Sequence, residues 1–175
     1  MNNTSSQIIS LLKTILLLFV IEILSSSLFP SLGLANSRIV ITILFTLFFA
    51  IRIQSNFVPF YILIIHLFHS AFSIEGWAIG TFSGLSMALV LGFLRGKIQV
   101  NSYISTSLLT FVFHLFWLLI STTLICLKLQ NFELFTNLYF KPLIGVVVVS
   151  VISPFFFIIL ENFWKKDLKS SEMRF

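Results

Sequence analysis

The chain has 175 residues, of which 58% are hydrophobic, 10% are charged and 22 are Phe. Too few polar side chains are present to cover a water-soluble surface, so the composition excludes a soluble globular domain and points to an integral membrane protein. The net charge of +5 reads as loop topology and attraction to anionic lipid rather than as a nucleic-acid surface, and the lone Cys126 excludes an intrachain disulfide and a cysteine-built metal site.

The apolar runs are continuous and lack the alternation of barrel strands, which predicts an all-α, polytopic bundle. A hydrocarbon core about 30 Å thick takes roughly 20 residues per helix. On that length scale the chain divides into six transmembrane helices at about 8–29, 37–53, 57–74, 76–95, 103–127 and 142–164, a single domain followed by a cytoplasmic tail over 165–175. The first helix is expected to stop at Pro30, whose ring does not continue a helix begun before it. Its polar start and Lys13 resemble a signal peptide, but no small-residue cleavage site follows, so an uncleaved anchor is expected. The second helix is short, with Arg38 and Arg52 placed to snorkel from its two ends. In the third, Pro59 sits in the first turn, where it is tolerated. Its link to the fourth helix around Glu75 is tight, which predicts an antiparallel hairpin or a bent, partly re-entrant unit. The sixth carries Pro154, expected to kink it. Trp77, Trp164, Tyr61, Tyr103 and Tyr139 fall near helix ends as interfacial anchors, and Trp117 falls deeper, as packing.

Orientation follows from the cations. With the N-terminus in the cytoplasm, eight lie inside (Lys13, Arg52, Arg95, Lys97, Lys165, Lys166, Lys169 and Arg174) and three outside (Arg38, Lys128 and Lys141). Both ends inside agrees with an even number of helices.

In the fourth helix small residues recur every four positions at Gly76, Gly80, Gly84, Ala88, Gly92 and Gly96. Such spacing lets a second helix approach backbone to backbone. Each four-residue step turns about 400°, so the set drifts around the helix and serves two contacts, one internal and one for a partner. Leu at Gly80 or Gly84 is expected to abolish partner association in detergent without preventing insertion, because it adds bulk at the contact but suits lipid.

Chemistry-bearing residues are sparse. Glu22 lies in the middle of the first helix, where an ionised, unpaired carboxylate costs at least about 2.5 kcal/mol, so it is expected to be neutral or hydrogen-bonded to Ser, Thr or His inside the bundle. Two readings stay open for it: a proton or cation relay, and an interhelical hydrogen bond. His66 and His69 share a face of the third helix and His114 lies on the fifth. With Glu22 they could compose a metal site or proton path, or simply hydrogen-bond within the bundle. The spacing favours the latter, so no metal and no cofactor are expected. Glu75, Lys128, Glu133 and Lys141 belong to the outer face as solvated charges. No nucleophile with a base at hand, phosphate-cradling loop or carboxylate pair is recognisable, and no enzyme activity is expected.

The run Leu24-Ser25-Ser26-Ser27-Leu28-Phe29-Pro30 with Leu32-Gly33-Leu34, and the second helix closing on Ala50-Ile51-Arg52, resemble the opening of the bacterial rod shape-determining MreD family. His69 to Trp77 followed by Gly92-Phe93-Leu94-Arg95 is similar to that family's central segment, and Pro154-Phe155-Phe156 with Trp164-Lys165-Lys166 to its last helix. The chain departs from the family at Ser37-Arg38, where Pro-Asp is common, and at His69, where an Asp is common. The resemblance implies a non-enzymatic scaffold of the cytoplasmic (inner) membrane. It implies binding to the single-span partner MreC, which would help organise MreB filaments and the peptidoglycan synthases of the cell-elongation complex. Size and topology are also similar to the substrate-binding membrane subunit of energy-coupling-factor vitamin importers, for which Glu75, Trp77 and Lys141 could line an outward pocket.

Overall fold

The computed structural model describes residues 3–31, 40–53, 55–73, 76–94 and 102–172. Glu75, Gly96 and the cations Arg38, Arg95, Lys97 and Arg174 lie outside the described residues, as do Gly33 and Ser37. Among the described residues all regular structure is helical: α1 (Asn3–Ser31), α2 (Thr42–Arg52), α3 (Val58–Ser70), α4 (Trp77–Leu94), α5 (Tyr103–Leu129), α6 (Phe135–Phe140) and α7 (Leu143–Glu172). Four stretches, Ser6–Ser27, Trp77–Leu94, Tyr103–Leu129 and Phe132–Lys165, are long and apolar enough to cross a membrane.

Several ends differ from expectation. Helix α1 continues through Pro30 to Ser31. Helix α2 begins at Thr42, after non-helical Val40 and Ile41, and α3 ends at Ser70. Beyond it the chain tightens: the N–H groups of Ala71, Phe72 and Ser73 bond the carbonyls of Phe68, His69 and Ser70 at 3.2, 2.9 and 3.4 Å, three residues back each time. Hydropathy marks where the chain enters lipid, whereas these ends depend on which carbonyls are still reachable. Helix α5 opens on a reciprocal cap, Ser102 accepting from the Ser105 N–H at 3.1 Å and Ser105 accepting from the Ser102 N–H at 3.2 Å. It closes on Gln130 in the left-handed region at φ 51°. The polar connection after it folds into a 3-10 turn (Phe132–Leu134), started by the Asn131 side chain accepting from the Glu133 N–H at 3.0 Å, and then α6.

Pro154 lies inside α7, and the helix continues on both sides of it. Proline has no N–H to offer the carbonyl four residues back, that of Ser150. The Ser153 hydroxyl supplies the missing donor at 2.8 Å. A side-chain donor of this kind is what lets proline persist in an apolar helix.

The centre of the bundle is α2. Every residue from Thr42 to Ala50 is buried, as a helix apolar on all sides requires. With 11 residues it is only about 16 Å long, and its neighbours α3, α4, α5 and α7 enclose it. Aromatic pairs run along the α2–α7 seam: Phe45 on Phe156 at 5.0 Å, Phe48 on Phe157 at 5.6 Å and Phe49 on Trp164 at 5.1 Å, all edge to face. Their order makes α2 and α7 parallel. Helices α1 and α3 are parallel too, because Tyr61 donates to Gln7 at one end and Glu22 meets His69 at the other.

Trp164 and Tyr61 were expected at the lipid interface and are instead buried, with Trp164 fully enclosed. The indole N–H of Trp164 donates to Thr14 at 3.0 Å, and its ring meets those of Phe49 and Tyr61. A hydroxyl partner inside the bundle removes the reason for the ring to seek the headgroup region. Trp77 and Tyr103 are exposed. Arg52 does not simply snorkel outwards: its Nε lies 3.3 Å from the carboxylate of Glu161 on α7.

Candidate functional site

Five buried polar side chains meet at the junction of α1, α2 and α3. Glu22 reaches in from α1 and is 4% exposed. Its Oε1 is hydrogen-bonded directly to His69 Nδ1 on α3 and accepts from the Thr42 hydroxyl on α2 at 3.4 Å. One turn further along α2, Thr46 pairs with His66 Nε2 at 2.8 Å. Thr46 also lies 3.3 Å from the Thr42 carbonyl. Every proton is used if His66 Nε2–H donates to Thr46 and Thr46 donates to Thr42, which leaves His66 Nδ1 as an acceptor without a hydrogen-bond partner. The five side chains thus form a polar clamp across three helices.

The small residues of the fourth helix divide among different uses. Gly76 precedes α4 and takes φ +79°, a conformation that L side chains rarely adopt, so it serves the turn out of the α3–α4 link. Gly80 and Gly84 are buried against α3. A Cβ on Gly80 would touch Ser70, and a Cβ on Gly84 would fall inside the His66 imidazole. The contacts 70 with 80 and 66 with 84 run in opposite directions, so α3 and α4 form an antiparallel hairpin. The contact of Gly80 and Gly84 is therefore internal, and a large residue there would break the hairpin rather than a partner interface. Ala88 is half-buried against the core, while Gly92 faces open space.

His114 is buried on α5 with its ring 6.1 Å from that of Trp117. The three histidines and Glu22 do not converge, and among the described residues no group of three or more His, Cys, Asp or Glu could hold a metal ion.

At the opposite end of the bundle from the α1 start lies a cavity of about 480 Å³. It is bounded by the start of α2, the end of α3, the start of α4, the second half of α5, and α6 with the start of α7. Trp117 and His69 form its inner wall and Lys128 stands at its exposed side. Trp77 and Lys141, expected to line an outward pocket, are not among its lining residues, and Glu75 lies outside the described residues.

Thr42 and Thr46 are site residues that hydropathy hides, their only signal being two hydroxyls one turn apart in an otherwise apolar helix. Trp117 is not packing alone, since it lines the cavity together with Ser121 and Thr122 of the same helix. No protein-family model, curated protein or solved structure matches this chain.

Proposed function

We propose that this chain is a non-enzymatic scaffold of the cytoplasmic membrane, crossing it six times with both ends inside. In this reading it serves the cell-elongation complex. It binds the membrane anchor of an MreC-like single-span protein and through it helps organise MreB filaments and the peptidoglycan synthases.

One observation carries the scaffold reading: Glu22 and the two α3 histidines are spent on contacts between helices. Glu22, His69, Thr42, Thr46 and His66 tie helices together. The second half of α4 is left with Gly92 open between exposed Leu89 and Phe93. A glycine in that position allows a further helix to approach closely from the lipid. The shared end is supported by contacts between the start of α1 and the end of α7, where Ser10 donates to the Phe163 carbonyl at 2.9 Å. Lys13, Arg52 and Lys165 belong to that same end.

The test is copurification of a tagged chain with its single-span partner. Gly92→Leu adds bulk at the open contact while suiting lipid, so it should abolish recovery of the partner at unchanged membrane yield. Undiminished recovery would sink the docking assignment. A water-soluble small molecule retained through purification, with no single-span protein, would favour the importer subunit instead.

A further inference from the structure

At the end of the bundle that holds the start of α1, a second cavity of about 460 Å³ lies between the last turn of α2, the first turn of α5 and the middle of α7. It has no part in the scaffold reading and requires only that the helices lie in a bilayer. Two opposite charges line it, Arg52 and Glu161, 3.3 Å apart at Nε and Oε1, with side chains 35% and 37% exposed. The Nε is enclosed, and no hydrogen bond among the described residues engages the terminal guanidinium nitrogens. Glu161 also keeps accepting capacity beyond its contact with Arg52, since a carboxylate offers about four lone-pair sites. The other hydroxyls on the rim of the cavity are spent on the α5 cap: Ser102 accepts from the Ser105 N–H at 3.1 Å, and Thr106 donates to the Ser102 carbonyl at 3.0 Å. The start of α5, the positive end of that helix, therefore borders the cavity. Towards the bilayer centre the wall turns apolar, with Pro154, Phe157 and Ile158 one to two turns before Glu161 on α7.

We infer that this cavity seats the headgroup of a phosphatidylethanolamine, with its phosphate on Arg52 beside the start of α5 and its ammonium on Glu161. A guanidinium binds phosphate through paired N–H groups, and a primary ammonium has N–H groups that a carboxylate accepts. The carboxylate decides the class of lipid. A basic pocket alone draws anionic headgroups, whereas Glu161 offsets Arg52 and leaves the pair without net charge to attract one. Choline carries the same two charges as ethanolamine but has no N–H to give, so it satisfies Arg52 only. The short link between phosphate and ammonium suits two side chains already in contact, and an acyl chain leaving past Pro154 and Ile158 meets apolar wall.

The probes are dioleoyl lipids with ethanolamine, choline or glycerol headgroups, titrated into the full chain in detergent and counted by native mass spectrometry. The parent chain should retain one ethanolamine lipid saturably, about fivefold or more tighter than the other two. Arg52→Gln should bring the ethanolamine lipid down to the choline level. Glu161→Gln removes the carboxylate and leaves the cation, so the order should invert, with the anionic glycerol lipid now held tightest. An ion pair that only joins α2 to α7 would not produce that inversion. Both side chains are partly exposed, so the variants are expected to insert, and the ranking in the parent chain tests the site without them. Equal retention of the three lipids by the parent chain, or an unchanged order in Glu161→Gln, would overturn the assignment.

Discussion

Glu22 illustrates how a carboxyl group is kept inside an apolar bundle. Its oxygen meets two partners from two other helices, Thr42 and His69. That arrangement supplies in protein the hydrogen bonds that lipid cannot. In Glu22→Gln an acceptor oxygen remains for both, so stability against denaturing detergent should stay close to that of the parent chain. Glu22→Leu leaves both without it and should lose about 0.6–1.7 kcal/mol per bond, read from the midpoint of unfolding in mixed micelles. Equal loss in the two variants would mean that the charge, not the hydrogen bonding, is what the bundle uses. The need for a partner was legible in the sequence, because a mid-helix Glu is costly alone. Its identity was not, because His69 is 47 positions away and nothing local selects it over His66 or His114.

At the scale of elements, the α3–α4 hairpin depends on the absence of a side chain. The His66 ring occupies the space a Cβ at Gly84 would need, and backbone and ring cannot both stay where they are. Gly84→Ala should therefore destabilise the chain by about 1–3 kcal/mol, as overpacking of a filled site does. In a double-mutant cycle, His66→Ala opens the same space, so the two losses should be markedly less than additive. Additive losses, measured by the same detergent titration, would show that Gly84 and His66 do not compete for one volume. The four-residue spacing announced close helix contact but not its address. Gly80 and Gly84 went to α3, Gly76 to a turn and Gly92 to the open side. A periodic pattern fixes positions on a helix surface, whereas the neighbour opposite each position is chosen by the other helices. The short α2 was visible as a short apolar run, and its central place was not, since an all-round apolar helix looks alike whether lipid or protein surrounds it.

For the whole molecule, the proposed orientation makes a direct prediction with cysteine labelling in intact cells. Cys126 is fully buried and should stay unlabelled, giving a silent background. Gln130→Cys, exposed at the end of α5, should react with a membrane-impermeant maleimide added outside. Lys165→Cys, exposed at the far end of α7, should react only after permeabilisation. The reverse pattern would invert the topology, and labelling of both from outside would break the six-pass count. Composition alone argued against a surface facing water, because 58% of residues are hydrophobic and 10% charged, and the continuity of the apolar runs argued for helices, as the structure has them. Chain order located the six apolar helices, since hydropathy is a local property, but missed their ends by as much as eight residues, as where α7 runs on to Glu172. Only tertiary structure decided that α2 is enclosed, that Trp164 points inward to Thr14, and that Thr42 and Thr46 complete a polar clamp with Glu22 and the α3 histidines. It alone opened a cavity around Trp117 and Lys128. Lipid is as apolar as the helices it surrounds, so hydrophobicity cannot say which face meets lipid and which meets protein. That choice is made by hydrogen bonds and close fits between residues far apart in the chain.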